Sequence, residues 1–214
     1  LGRQIGDGGF EREVVLKRLR SELAVRKDLL SLFLAEARLL SSLSHPGIVR
    51  YIAHGTASAG RLYLAMEWLE GEDLGARLAR EPLSVADAVT VVRTAAEALA
   101  IAHAQGIVHR DVKPANIFLV GGSIEHAKVL DFGIAHLGRH VPSQTATGVV
   151  LGTPEYMAPE QARGDREITA RADVFALGAV LFECVTGRSA FSGAHVAAVL
   201  AKILLEEPPL LSEV

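Results

Sequence analysis

From Ser84 to Gln105 apolar residues recur every three or four positions, at Val85, Ala88, Val92, Ala95, Leu99 and Ala102. That spacing lines one face of an α-helix and predicts a core stripe. Ser84 and Asp87 form a capping-box pattern at its start, and Gly106 stands where a left-handed residue would end it. A second helical pattern joins Leu29, Phe33, Ala37 and Leu40, with Glu36 on its inward flank. Elsewhere the apolar residues bunch into short runs with polar residues at their ends. These are Val14-Val15-Leu16, Tyr63 to Met66, Ile107-Val108, Ile117 to Val120 and Val129-Leu130, and their length predicts short strands. The most apolar stretch, Val174 to Phe182, stops at Glu183, far short of the roughly 20 residues needed to cross a bilayer. The first residues carry Arg3, Asp7, Glu11 and Arg12 without an apolar core, unlike a signal peptide.

The polar residues at these strand ends carry the chemistry. His109-Arg110-Asp111-Val112-Lys113-Pro114-Ala115-Asn116 follows Ile107-Val108, and Asp131-Phe132-Gly133 follows Val129-Leu130. Two carboxylates and a carboxamide in this order suit phosphoryl transfer. Asp111 orients a hydroxyl nucleophile and accepts its proton, while Asn116 and Asp131 hold Mg²⁺ that neutralises phosphate charge.

These motifs resemble the eukaryotic-like serine/threonine protein kinase family, and the phrasing of Pro114-Ala115-Asn116-Ile117-Phe118 and Pro159-Glu160-Gln161-Ala162 resembles its bacterial members. The resemblance covers nearly the whole chain. It implies an α+β, two-lobed fold, with a small β-rich lobe bearing one regulatory helix and a larger α-helical lobe. The corresponding boundaries are 1–66, a hinge over 67–73, and 74–214 for the larger lobe, expected to be incomplete at its C-terminus. It also implies ATP and Mg²⁺ as cofactors, with Mn²⁺ as an alternative metal. Lys17 in Val14-Val15-Leu16-Lys17 stands where the family's lysine contacts the α and β phosphates, and Glu36 where its acidic partner sits. By the same likeness Met66 is the gatekeeper, Glu67 and Leu69 supply main-chain contacts to adenine, Asp73 lies near the ribose, and Phe118 belongs to the nucleotide site. Lys113 stabilises the transferred phosphoryl group and favours Ser/Thr acceptors. Gly152 to Glu160 resembles the acceptor loop, in which Thr153 braces Asp111 and Lys113, and Asp173 anchors the catalytic loop from below. The polar stretch His140 to Gly148 is expected to be an activation loop, with Thr145 and Thr147 as candidate phosphosites, Ser143 behind them, and Arg110 as the cation that a loop phosphate recruits.

Two departures stand out. Gly6-Asp7-Gly8-Gly9-Phe10 begins as a glycine-rich loop, with Gly6 and Gly8 letting backbone amides approach phosphates. The family's third glycine, its roof valine and the strand after them have no counterpart before Val14. A small lobe lacking that segment has one strand fewer and no lid over ATP, which favours a pseudokinase-like binding module or an inactive fragment as the rival reading. The chain also stops at Val214, soon after Glu206-Glu207-Pro208-Pro209, and no arginine follows Arg188. In the family a later arginine pairs with a buried glutamate at Glu160. An unpaired buried carboxylate costs about 3–5 kcal/mol, so the expectation is a fragment of a longer protein, in line with the start at Leu1.

Composition narrows the setting. The 214 residues are half apolar, enough for a sizeable core. A net charge of −3 provides no basic field for nucleic acid, so protein substrates with Ser/Thr acceptors are the expected partners, with dimerisation left open. The single cysteine, Cys184, excludes an internal disulfide and suits a reducing, cytoplasmic compartment, as in the cytoplasmic domain of a longer membrane-attached protein. Eight scattered histidines show no zinc-ligand spacing.

Overall fold

A computed structural model describes residues 2–5, 11–18, 34, 37–38, 40–57, 61–132 and 154–211. Four antiparallel strands form the first sheet: β1 (Gly2–Ile5), β2 (Glu11–Arg18), β3 (Tyr51–Ala57) and β4 (Arg61–Glu67), in the order β1-β2-β4-β3. The β-branched pair Val14-Val15 favours the extended conformation of β2, and Val14 turns into the core at 2 % exposure. Lys17 lies opposite Leu64, and Val15 opposite Met66. β1 pairs directly with β2, Gly2 opposite Val14 and Ile5 opposite Glu11. The strand carrying Lys17 is therefore next to the first strand among the described residues.

The inner face of the predicted first helix is present in part. Residues 34, 37–38 and 40–42 are helical, and Ala37 and Leu40 are buried; Leu29, Phe33 and Glu36 lie outside the described residues.

The second region is mainly helical: α1 (Leu74–Leu78), α2 (Val85–His103), α3 (Pro159–Arg163), α4 (Ala170–Thr186) and α5 (Val196–Leu205). A three-stranded sheet, β5 (Gly71–Asp73), β6 (Ile117–Val120) and β7 (Ala127–Val129), lies at its upper edge in the order β5-β6-β7. Ser84 caps α2, its side chain accepting from the Asp87 amide at 3.1 Å, and Gly106 follows the helix at φ 75°, both as the sequence predicts. The core face is turned from the expected stripe. Val85 is 64 % exposed, whereas Val91 and Ala98 are buried beside Ala88, Ala95, Leu99 and Ala102. Val85 sits in the first turn of α2, and α4 packs along the helix. α4 runs through the middle of the lobe, burying eight residues that include Asp173 and Cys184.

The two regions join through the main chain. Ile48 bridges Val129 in parallel, with Val49 N donating to Val129 O at 3.0 Å and Val129 N to Gly47 O at 2.8 Å. The linker after β4 reaches β5 at Gly71, whose φ is 137° and where an added Cβ would lie 2.1 Å from the Leu119 carbonyl oxygen. Only glycine fits that turn. One continuous apolar cluster, including Leu64 and Met66 above and Leu99, Val129 and Phe132 below, spans both regions.

Candidate active site

Asp173 organises the catalytic loop. It is 1 % exposed at the start of α4, and its carboxylate accepts from His109 N at 2.8 Å, Arg110 N at 2.8 Å and His103 Nε2 at 2.7 Å. A buried carboxylate is tolerable when donors surround it in this way. The geometry holds Arg110 at φ 67°, a left-handed conformation that a non-glycine residue adopts at a cost of about 1–2 kcal/mol. Asp131, at φ 37°, is the other such residue among those described.

His109 is fully buried between the two motifs. Its Nε2 lies 2.8 Å from Leu130 O, an acceptor only, and its Nδ1 accepts from Asp111 N at 3.3 Å. The ring is therefore neutral, with its proton on Nε2. Burial lowers its pKa, outweighing the carbonyl of Leu130 and the charge of Asp173. Its ring also packs on Phe132, with centroids 4.7 Å apart, and Leu130 N donates to Asn116 O at 2.8 Å. The strand entering Asp131 is thereby tied to the loop carrying Asp111.

Two predicted site residues converge on the carboxylate of a third, Asp111. Lys113 Nζ lies 3.0 and 2.8 Å from the Asp111 oxygens, and Asn116 Nδ2 donates to Asp111 O at 2.7 Å and to Asp111 Oδ2 at 3.0 Å. Asn116 thus spends its amide nitrogen on Asp111, leaving Oδ1 as an oxygen donor. Lys17 Nζ meets Asp131 Oδ1 at 3.1 Å from the facing sheet, with side chains 36 % and 47 % exposed. Glu36, Gly6, Gly8, Thr153, Ser143, Thr145 and Thr147 lie outside the described residues.

A cavity of about 480 Å³ opens beside Asp131. Val15 lines it from β2, Met66 and Glu67 from the end of β4, Val49 from the segment before β3, Leu69 from the linker, and Phe118 and Leu130 from the other side. The predicted nucleotide-site residues Glu67, Leu69 and Phe118 thus share one cleft. Asp73 caps α1 instead of lining it, its Oδ1 accepting from Ala76 N at 2.9 Å.

Some site residues carry no clear mark in the sequence. Gln161 donates to Arg110 O at 2.9 Å and accepts from Ala158 N at 3.1 Å, tying the loop before α3 to the catalytic loop. His103 completes the donor set of Asp173, and Lys128 pairs with Glu67 at 2.5 Å. Lys128 has one visible signal, a lone charge between Ala127 and Val129 in an apolar strand. The expectation for Glu160 needs correction. It is half-buried, because α3 contributes no buried residue. The buried side-chain oxygen without a partner among the described residues is Glu155 Oε2, five residues earlier.

The protein kinase domain model matches residues 7–210. This chain belongs to the protein kinase family. Among curated relatives, the kinase domain is 43 % identical over 217 residues to the serine/threonine-protein kinase Pkn1 of Myxococcus xanthus, covering 100 % of this chain and 30 % of that protein. It is 40 % identical over 223 residues to the serine/threonine-protein kinase PknB of Mycobacterium leprae, covering 97 % and 35 %. The chain thus spans roughly a third of the length of these relatives. Its fold matches the crystal structure of a point mutant of the Mycobacterium tuberculosis PknI kinase domain, with a TM-score of 0.69 and 28 % identity over 96 % of this chain and 72 % of that one. The small sheet, the helical larger lobe and the cleft between them are those of an α+β protein kinase fold.

Proteins of this family use ATP and a divalent metal, and the donor set suits such a metal. Asn116 Oδ1 and Asp131 Oδ2 are hard oxygen donors, and no cluster of three or more His, Cys, Asp or Glu exists among the described residues. A sparse oxygen set completed by phosphates and water is how Mg²⁺ is bound.

Proposed function

We propose that this chain transfers the γ-phosphoryl of ATP to Ser or Thr hydroxyls of protein substrates, using Mg²⁺ with Mn²⁺ as an alternative. The observation that carries the reading is the convergence of Lys113 and Asn116 on Asp111, within 3.0 Å, beside a cleft that Asp131 and Lys17 border. Asp111 accepts the hydroxyl proton. Lys113 holds that carboxylate in place and meets the charge developing on the transferred group. Asn116 and Asp131 hold the metal, whose charge lowers the cost of crowding phosphate oxygens. Lys17 contacts the α and β phosphates, with Glu36 as its partner in the assembled state. Gly6 and Gly8 offer amides to phosphate, Glu67 and Leu69 face adenine, Phe118 underlies it and Thr153 braces Asp111.

Autophosphorylation at Thr145 and Thr147 orders the acceptor loop through Arg110. Its guanidinium has no side-chain partner among the described residues, and its pKa is lowered by burial, with the charge of Asp173 opposing. The chain works in the cytoplasm, within a longer protein; among the described residues no helix is long and apolar enough to cross a membrane.

One observation favours a second reading. β1 pairs directly with the strand carrying Lys17, and the first sheet has four strands among the described residues, a small roof that suits a binding module. Transfer of label from γ-labelled ATP to a basic acceptor protein, followed by phosphoamino-acid analysis, separates the two. A kinase gives phosphoserine or phosphothreonine that disappears in Asp131→Ala. A folded wild type giving no more label than the variant supports the binding module.

A further inference from the structure

Lys128 belongs to none of the roles above, yet its side chain links the second sheet to Glu67 at the end of β4 in the first. It lies on β7 directly opposite Phe118 on β6. Directly opposed residues of an antiparallel pair project from the same face, so Lys128 leaves the sheet on the side where Phe118 lines the nucleotide cleft. Its Nζ reaches Glu67 Oε1 at 2.5 Å, at the end of β4. The same oxygen accepts from Arg50 N at 2.8 Å, while Glu67 N donates to Arg50 O at 3.0 Å. The Glu67 carboxylate is thus fastened on two sides, to the segment before β3 and to the strand leading into Asp131. The side chains of Lys128 and Glu67 are 20 % and 17 % exposed, so the pair is shielded more than a surface ion pair.

We propose that Lys128 is a positioning residue for nucleotide binding, acting through Glu67. This inference rests on the reading of the cleft as the ATP site. Its ammonium fixes the carboxylate against the cleft wall and sets the Glu67 main chain that borders the adenine end. It also neutralises an anion that would otherwise stand uncompensated beside the nucleotide cavity. Without Lys128, the carboxylate keeps one amide partner, regains its rotamers and presents an uncompensated charge beside the cavity. The consequence falls on nucleotide affinity, because neither residue approaches Asp111.

The test measures binding of a fluorescent ATP analogue to the full chain in wild type, Lys128→Met, Lys128→Arg, Glu67→Gln and the Glu67→Gln/Lys128→Met double variant, with melting temperatures alongside. Lys128→Met is expected to raise Kd about tenfold, the change that accompanies loss of some 1.4 kcal/mol. Lys128→Arg restores most of it, and the double variant binds more tightly than Lys128→Met because the stranded carboxylate is gone. In turnover assays the KM for ATP rises and kcat stays within about twofold, the split expected when binding rather than chemistry is altered. Wild-type affinity in folded Lys128→Met overturns the inference alone, as does a double variant as weak as the product of the singles. Should Lys128→Met fail to fold, the comparison of Lys128→Arg with Glu67→Gln decides. Equal weakening by both, despite the charge retained in the arginine variant, contradicts a role through Glu67. A wild type that binds no nucleotide overturns the reading of the site itself, and this inference with it.

Discussion

The lower and upper walls of the cleft are built on different principles. Below, the catalytic loop is held by buried, saturated contacts. Asp173 has three donors, His109 uses both ring nitrogens, and Asp111 is met by Lys113 and Asn116. Above, Lys17 and Asp131 meet across the cleft with more than a third of each side chain exposed, on a four-stranded sheet whose first strand pairs with the lysine strand itself. The difference teaches that chemistry and nucleotide retention are separable here. On the proposed reading, the groups assigned to the reaction are held by the larger lobe, while the wall assigned to the nucleotide depends on solvated contacts worth little individually.

Breaking the lower wall should have the larger effect. Replacing Asp111 with Ala removes the proton acceptor and is expected to lower kcat by about 10²–10⁴-fold with little change in nucleotide Kd. A parallel loss of binding would show that the walls are coupled.

Asp173→Ala tests the support beneath. It strands the His109 and Arg110 amides in a dry interior, and removing a buried, hydrogen-bonded carboxylate should cost about 3 kcal/mol in denaturant unfolding. A loss under about 1 kcal/mol would mean that water replaces the carboxylate at little cost.

A pH series sharpens the same point. Burial keeps the folded-state pKa of His109 below its ordinary value, so below about pH 6.5 the unfolded chain binds a proton that the folded chain refuses. Stability should then fall as pH drops, by up to about 1.4 kcal/mol per pH unit. His109→Phe should flatten that slope, and an unchanged slope would assign it to other groups.

The smallest effect expected is at Cys184, whose thiol burial pushes up to about 12, with Glu183 adding to it. The native chain should resist iodoacetamide at about pH 8 and react after unfolding, because the thiolate is the nucleophile. Rapid native alkylation would show that α4 opens readily.

The same contrast governs what the sequence reveals. Asp111, Lys113, Asn116 and Asp131 are legible because they punctuate short apolar runs, which become strands and turns around the site. The Ser84 cap and Gly106 are equally visible, being local devices. Contacts over long sequence distance are not. Lys128 meets Glu67 sixty-one positions away and His103 meets Asp173 seventy away, and no periodicity records either. The α2 stripe differs from its expected position for a related reason. Val85 fits the period, but burial of Val91 and Ala98 is decided by where the neighbouring elements pack. The expectation of a buried Glu160 rests on likeness rather than on local pattern, and the short α3 leaves that residue half-buried.

The central claim is a complete catalytic wall beneath a reduced nucleotide roof. Initial rates of phosphoryl transfer to a protein acceptor across an ATP titration test it most directly, because they separate kcat from KM. The account predicts saturable transfer with kcat in the range of about 1–100 s⁻¹ seen for kinases, abolished by Asp111→Ala. No transfer by a folded chain at any ATP concentration, despite measurable nucleotide binding, would contradict it.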